Sequence, residues 1–146
     1  MDIKKLMQEM VDRDASDLFL RTGGMSRLRI DGKIIPMNTG ILSLEDVMFA
    51  MEQLANTKQC ETFRNKLDVD FAVYLAEFNR RFRVSIFMQR NWPSIVIRNV
   101  RNNISSFEEL NLPAEILKKL SLETRGMVLL TGSMGSGKST TIASMI

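Results

Sequence analysis

Residues 132–139 read Gly132-Ser133-Met134-Gly135-Ser136-Gly137-Lys138-Ser139: a glycine, four intervening positions, then Gly-Lys-Ser. Glycines in this pattern let successive backbone N–H groups turn inward around phosphate oxygens, and a helix starting near Lys138 adds the positive end of its dipole. Lys138 is long enough to reach the β and γ phosphates of a nucleotide such as ATP, and Ser139 offers a hydroxyl to Mg2+. The residues expected to hold the nucleotide are Gly132, Ser133, Gly135, Ser136, Gly137, Lys138, Ser139 and Thr140, with Lys138 the catalytic candidate. A glycine-rich turn with a solvated lysine is the plainer reading of the same letters. The flanks favour phosphate: apolar Met127 to Leu130 predict a short buried strand leading in, and helix resumes at about Lys138.

A second group of residues concerns the same chemistry. The net charge is only +3, but residues 79–107 hold Arg80, Arg81, Arg83, Arg90, Arg98 and Arg101 with no acid among them. Arg81 and Arg83 alternate with Phe82, Val84 and Ile86, so a strand here turns both guanidinium groups to the face opposite the apolar residues. A planar guanidinium fork suits phosphate, and Arg81 and Arg83 could meet a γ phosphate. The bland reading is a solvent-facing strand whose charges deter aggregation. A nucleic-acid role is not expected, because the whole chain lacks the basic excess of a dedicated binder and Phe82 belongs to the core.

The elements that must position these residues follow from periodicity. Ile3, Leu6, Met7, Met10 and Val11 form one helical stripe, and Ser43 with Asp46 three residues on predicts a capped helix carrying Val47, Met48, Met51 and Leu54. Between them Asp17–Leu20, Arg27–Ile30 and Lys33–Met37 read as a short meander, with Asp31-Gly32 as its hairpin turn. A shorter helix holds Cys60 and Phe63. Val69, Phe71, Val73 and Leu75, a polar break at 77–79, then Phe82 to Met88 read as a hairpin, and Ile95–Val100 as a further strand. Arg101–Ser106 reads as a linker, and Pro113 opens another helix.

Composition narrows the chemistry. With 146 residues and 45% hydrophobic content there is room for one domain or one domain and part of another. One cysteine and no histidine exclude a disulfide framework, the usual zinc sites and a histidine-based triad. Any metal must be held by oxygen; Asp68 and Asp70 are a weak pair for that, reading better as solvated residues at a strand start. The eleven methionines fall on apolar faces and read as core filling. The longest apolar run, Phe71 to Ala76, is far too short for a membrane span. No acid follows Glu123, so no carboxylate downstream of the loop can hold Mg2+ or polarise water. These 146 residues alone are not expected to turn over ATP; they read as the N-terminal part of a longer motor, with Thr131–Ile146 mobile or packed on another copy.

Several stretches resemble the type IV pilus retraction ATPases of the PilT/PilU family, within the type II and type IV secretion ATPase superfamily. They are Ala15 to Leu20, the hairpin Arg27 to Lys33, Arg-Phe-Arg-Val-Ser-Ile-Phe-Met-Gln-Arg-Asn at 81–91, Phe-Glu-Glu-Leu-Asn-Leu-Pro at 107–113 and the loop from Thr131 to Thr141. Gln89-Arg90-Asn91 and Leu117-Lys118-Lys119-Leu120 look more like the PilU branch, and Phe19 stands where many PilT sequences have histidine.

The resemblance implies an α/β chain: a PAS-like N-terminal domain over residues 1–100, a linker over 101–106, and over 107–146 the start of a RecA-like P-loop ATPase domain. It further implies ATP and Mg2+, with Ser139 at the metal, and phosphate contacts from Arg81 and Arg83, with Arg98 a weaker match. Assembly would be a homo-hexamer, alone or with a paralogous retraction ATPase. It would lie in the cytoplasm against the inner-membrane pilus platform protein, driving pilus disassembly in twitching motility. Ser133 departs from the proline common after the first glycine, a position that contributes backbone. The family's Asp box, Walker B and His box would lie beyond Ile146. A sister motor for secretion or pilus extension, and a non-catalytic nucleotide-binding or adaptor module, would share every feature read so far.

Overall fold

The computed structural model describes residues 2–100, 104–133 and 136–146. The chain divides into two compact units, Met1–Arg101 and Asn102–Ile146.

The first unit runs α1 (Ile3–Asp12), β1 (Asp17–Arg21), β2 (Arg27–Ile30), β3 (Lys33–Pro36), α2 (Leu44–Leu54), α3 (Thr57–Lys66), β4 (Asp68–Leu75), β5 (Arg80–Gln89) and β6 (Trp92–Val100). The strands form one six-stranded sheet in the order β3-β2-β1-β6-β5-β4, every neighbouring pair antiparallel. Each half of the sheet is a local meander, and β1 with β6 joins the halves.

Local chemistry sets the helix ends. Asp2 caps α1 by accepting the Lys4 N–H at 3.1 Å. The expected Ser43–Asp46 box closes reciprocally, Asp46 N–H to Ser43 Oγ at 3.1 Å and Ser43 N–H to Asp46 Oδ2 at 3.0 Å. Asn56 and Gln59 repeat the device on α3 at 2.9 and 2.8 Å. The Asp31-Gly32 turn has φ of 48° and 77°, both in the left-handed region that a tight hairpin requires.

The helices bury their apolar stripes in one core. Ile3, Met7 and Met10 of α1, Val47, Ala50 and Met51 of α2, and Phe63 of α3 pack with Leu18, Leu20, Leu28, Phe82, Val84, Ile86, Ile95 and Ile97 from the sheet. Phe82 is fully buried, as its alternation with exposed Arg81 and Arg83 predicts. Burying a side chain of this size stabilises the fold by about 2–3 kcal/mol, before conformational entropy is counted against it. The periodicity shortened the last strand: β6 starts at Trp92, three residues before Ile95, because Arg90 and Asn91 both adopt positive φ, 51° and 65°, and make a two-residue hairpin of β5 and β6.

In the second unit, Ser106 and Glu109 exchange side-chain and backbone hydrogen bonds, each at 3.1 Å, around a turn ending at Leu112. Then follow α4 (Ala114–Ser121) and α5 (Lys138–Met145). The buried strand expected at Met127–Leu130 is not formed: the segment has no ladder partner, and Met127 and Leu129 are 89% and 78% exposed. A strand of this kind exists only by pairing inside a parallel sheet covered on both faces, and no such neighbour is present among the described residues. Of the expected linker, Arg101, Asn102 and Asn103 lie outside the described residues.

Candidate nucleotide-binding site

Gly137 sits immediately before α5 with φ 88°, a conformation that a side chain would strain, so the chain can turn sharply and enter the helix at Lys138. Gly132 answers a different need. A Cβ built there would stand 2.7 Å from Ser136 Oγ, so the loop closes on itself only because that position has no side chain. The Lys138 ammonium turns back across the closed loop and donates to Gly132 O at 2.9 Å, Ser133 O at 2.6 Å and Ser136 Oγ at 3.4 Å. Ser136, Gly137, Lys138, Ser139 and Thr140 line a cavity of about 200 Å3 at the helix N-terminus.

These residues fit a phosphate. The cavity is walled by backbone, the three exposed hydroxyl side chains of Ser136, Ser139 and Thr140, and an ammonium whose partners are neutral oxygens, which an anionic oxygen can replace with stronger, charge-assisted bonds. Ser139, the hydroxyl that the sequence motif assigns to Mg2+, is exposed within the cavity wall. Among the described residues no cluster of three acidic, cysteine or histidine side chains stands ready for a metal, so Asp68 and Asp70 do not form part of one. Gly135 lies outside the described residues. The hydroxyl of Ser144, two turns along α5, donates to Ser105 O at 2.7 Å and ties the helix to the segment before the Ser106 turn.

The three candidate arginines lie on the sheet face opposite the core. Arg83 of β5 stands directly across from Arg98 of β6, Arg98 from Asp17 of β1, and Asp17 from Arg29 of β2. Arg81 is exposed and, among the described residues, has no ion pair. Arg83 grips Asp70 with both Nε–H, at 3.1 Å to either oxygen, and Nη2. That guanidinium holds the Asp70 carboxyl below the usual carboxylate range, and the carboxylate raises Arg83 in return. Arg98 Nε donates to Asp17 Oδ1 at 2.9 Å, while Ser16 Oγ donates to the other oxygen at 2.9 Å. Asp17 is buried, and Arg29 lies 3.7 Å from it with its guanidinium 5.2 Å from the Phe19 ring.

Asp17 is the residue that reading the sequence missed, and Asp70, read there as a solvated residue, is instead paired with Arg83. The basic stretch contains no acid, yet the sheet supplies one to each of two arginines from other strands. Asp70 was within reach of inference: the turn at 76–79 sets 70 opposite 85, which places Asp70 diagonal to Arg83. Asp17 comes from the far end of the sheet by a pairing that no local signal encodes.

The type II/IV secretion system protein family matches this sequence over residues 1–146. The chain belongs to that family. Among similar family members, the type IV pilus ATPase PilU of Pseudomonas aeruginosa is 39% identical over all 146 residues, which span 38% of its length. The retraction ATPase PilT of the same organism is 36% identical over the whole chain and 42% of its own length. A twitching motility protein of Neisseria gonorrhoeae is 38% identical over 82% of the chain and 31% of its own. The chain thus spans about two fifths or less of the relatives it matches. A crystal structure of the pilus retraction motor PilT with bound ADP superposes at a TM-score of 0.83, with 33% identity, covering 99% of this chain and 42% of that one. The Legionella pneumophila ATPase DotB, at 21% identity and TM-score 0.82, shares the fold. The mixed α/β architecture expected from the sequence is therefore that of the secretion ATPase family.

Proposed function

We propose that this chain is the N-terminal portion of a hexameric ATPase that powers type IV pilus retraction, with residues 1–100 a PAS-like domain, 101–106 a linker and 107–146 the start of a RecA-like domain. The observation that carries the reading is Lys138 turned back onto Gly132, Ser133 and Ser136 within the glycine-rich motif, in a chain related to PilU and PilT over its full length.

Residues 132–140 would hold the phosphates of ATP, and Ser139 the Mg2+. The bound nucleotide supplies concentrated negative charge. Lys138 exchanges its carbonyl partners for phosphate oxygens, the α5 dipole adds to it, and Arg81 and Arg83 bring positive charge from the first unit. These contacts favour closure about the linker, and their loss with the γ phosphate favours release, a ligand-biased hinge. In this reading the motor works in the cytoplasm, as a homo-hexamer or with a paralogous ATPase, against the inner-membrane platform of the pilus. No described helix is long and apolar enough to cross a membrane.

The test uses the intact protein. Lys138→Ala should abolish ATP hydrolysis and twitching while melting like the wild type. Arg83→Ala should lower ATP affinity and hydrolysis. Unchanged hydrolysis in Lys138→Ala would refute the site, and unchanged affinity in Arg83→Ala would refute the arginine's role.

A further inference from the structure

The arginines of the outer sheet face are not equivalent. Arg81 is exposed and unpaired among the described residues. Arg98 is anchored through Nε alone to a buried carboxylate. Arg83 spends the whole Nε/Nη2 edge of its guanidinium on Asp70, and that edge is the fork by which arginine takes a phosphate in bidentate fashion. Both members of the Arg83–Asp70 pair are well exposed, with side chains 60% and 42% accessible, so solvent screens the bond and an anion can reach it.

We propose that Asp70 is a displaceable counter-ion that sets how strongly Arg83 is drawn to nucleotide phosphate. The inference rests on the phosphate role of Arg83 given above. A singly charged carboxylate holds Arg83 in the absence of nucleotide. A triphosphate, with more charge and the same bidentate geometry, displaces it, whereas a nucleotide lacking the γ phosphate competes less well. Asp70 thereby opposes binding twice: it occupies the fork, and it places a negative charge beside the arriving phosphates. With the water-like screening that side chains this exposed experience, one unit charge removed from about 4 Å is worth about 1 kcal/mol, a factor of about five in affinity. Asp17 does not play this part, because it is buried, is shared between Arg98 and Arg29, and is held by Ser16.

In the intact protein, titrated with fluorescent ATP and ADP analogues, Asp70→Asn should bind ATP about fivefold more tightly than wild type, with a smaller gain for ADP. In an Arg83→Ala background the same change should have little effect, since the competed group is gone. Asp70→Ser serves as a second variant, and thermal melting checks that each is folded. If Asp70→Asn and Asp70→Ser bind ATP no more tightly than wild type while Arg83→Ala weakens binding, Asp70 is not a competitor and only this inference fails. Weaker binding by folded Asp70→Asn would make Asp70 a clamp that orients Arg83, the opposite of the proposal. If Arg83→Ala leaves ATP affinity unchanged, the underlying role of Arg83 fails and takes this inference with it.

Discussion

Arg83 and Arg98 face each other directly across β5 and β6, two cations in adjacent register positions. Like charges opposite one another on neighbouring strands repel, and here each is met on its outer side by a carboxylate, Asp70 for Arg83 and Asp17 for Arg98. The sheet thereby holds a dense group of arginines whose mutual repulsion its own carboxylates offset.

Removing the buried carboxylate exposes that repulsion. Asp17→Ala leaves Arg98 and Arg29 without their shared partner and should cost about 1–2 kcal/mol, less than a wholly buried pair because both arginines reach solvent. Urea unfolding of the mutant beside the wild type measures it. A stability equal to wild type would show that Asp17 does not hold the row together.

The core prediction is larger. Phe82→Ala empties a fully buried site beneath the arginine strand and should cost about 3–5 kcal/mol. A loss below about 1 kcal/mol would mean that the sheet collapses around the cavity.

Gly132 tests the loop closure. Gly132→Ala places a methyl group 2.7 Å from Ser136 Oγ, so the loop must open and ATP affinity should fall by about tenfold or more. The Ser136 Cβ would remain at an ordinary 3.5 Å, so adding Ser136→Ala should recover the part of the loss due to this contact, while the strain of a side chain at φ 155° remains. Absence of any rescue would place the cause elsewhere than in this contact.

The Asp70–Arg83 pair has a definite pH signature. Asp70 titrates below its usual range because of Arg83, and Arg83 above its own, so both stay charged through neutral pH. A depressed acid contributes stability above its unfolded pKa and loses it as pH falls through the lower folded value. The difference in melting temperature between wild type and Asp70→Asn should be constant from about pH 5 to 9, above the ordinary carboxylate range, and shrink progressively as pH falls through and below that range. Arg81 and Asp68 also face this side of the sheet and contribute opposing background fields. A difference that instead changes across neutral pH would assign the effect to another group.

How much of this was legible follows from the range of each interaction. Periods of 3.6 and 2 disclosed the stripe of α1, the capping box of α2 and the alternation of Arg81, Phe82 and Arg83, because each depends on neighbours a few residues away. The eight-residue loop motif was equally local: Gly137 adopts positive φ, and Gly132 makes a close approach that a Cβ would obstruct. The Arg90-Asn91 turn was missed because neither residue announces positive φ as glycine does. Met127–Leu130 misled because apolar letters record what a strand would bury, while ladder formation depends on partners elsewhere. The pairing of Asp17 with Arg98 was illegible for the converse reason: the contact is made by the sheet and by nothing nearer.

That pairing also orders the folding of the sheet. The two meanders, β1–β2–β3 and β4–β5–β6, close through short turns and can form early, whereas joining β1 to β6 brings together residues such as Asp17 and Arg98 that lie 81 positions apart. The entropy of that long closure is spent before the central ladder returns anything, so the seam between the halves is expected to close last. The Asp17–Arg98 bond lies on that seam, where one contact both completes the sheet and fixes an arginine on its outer face.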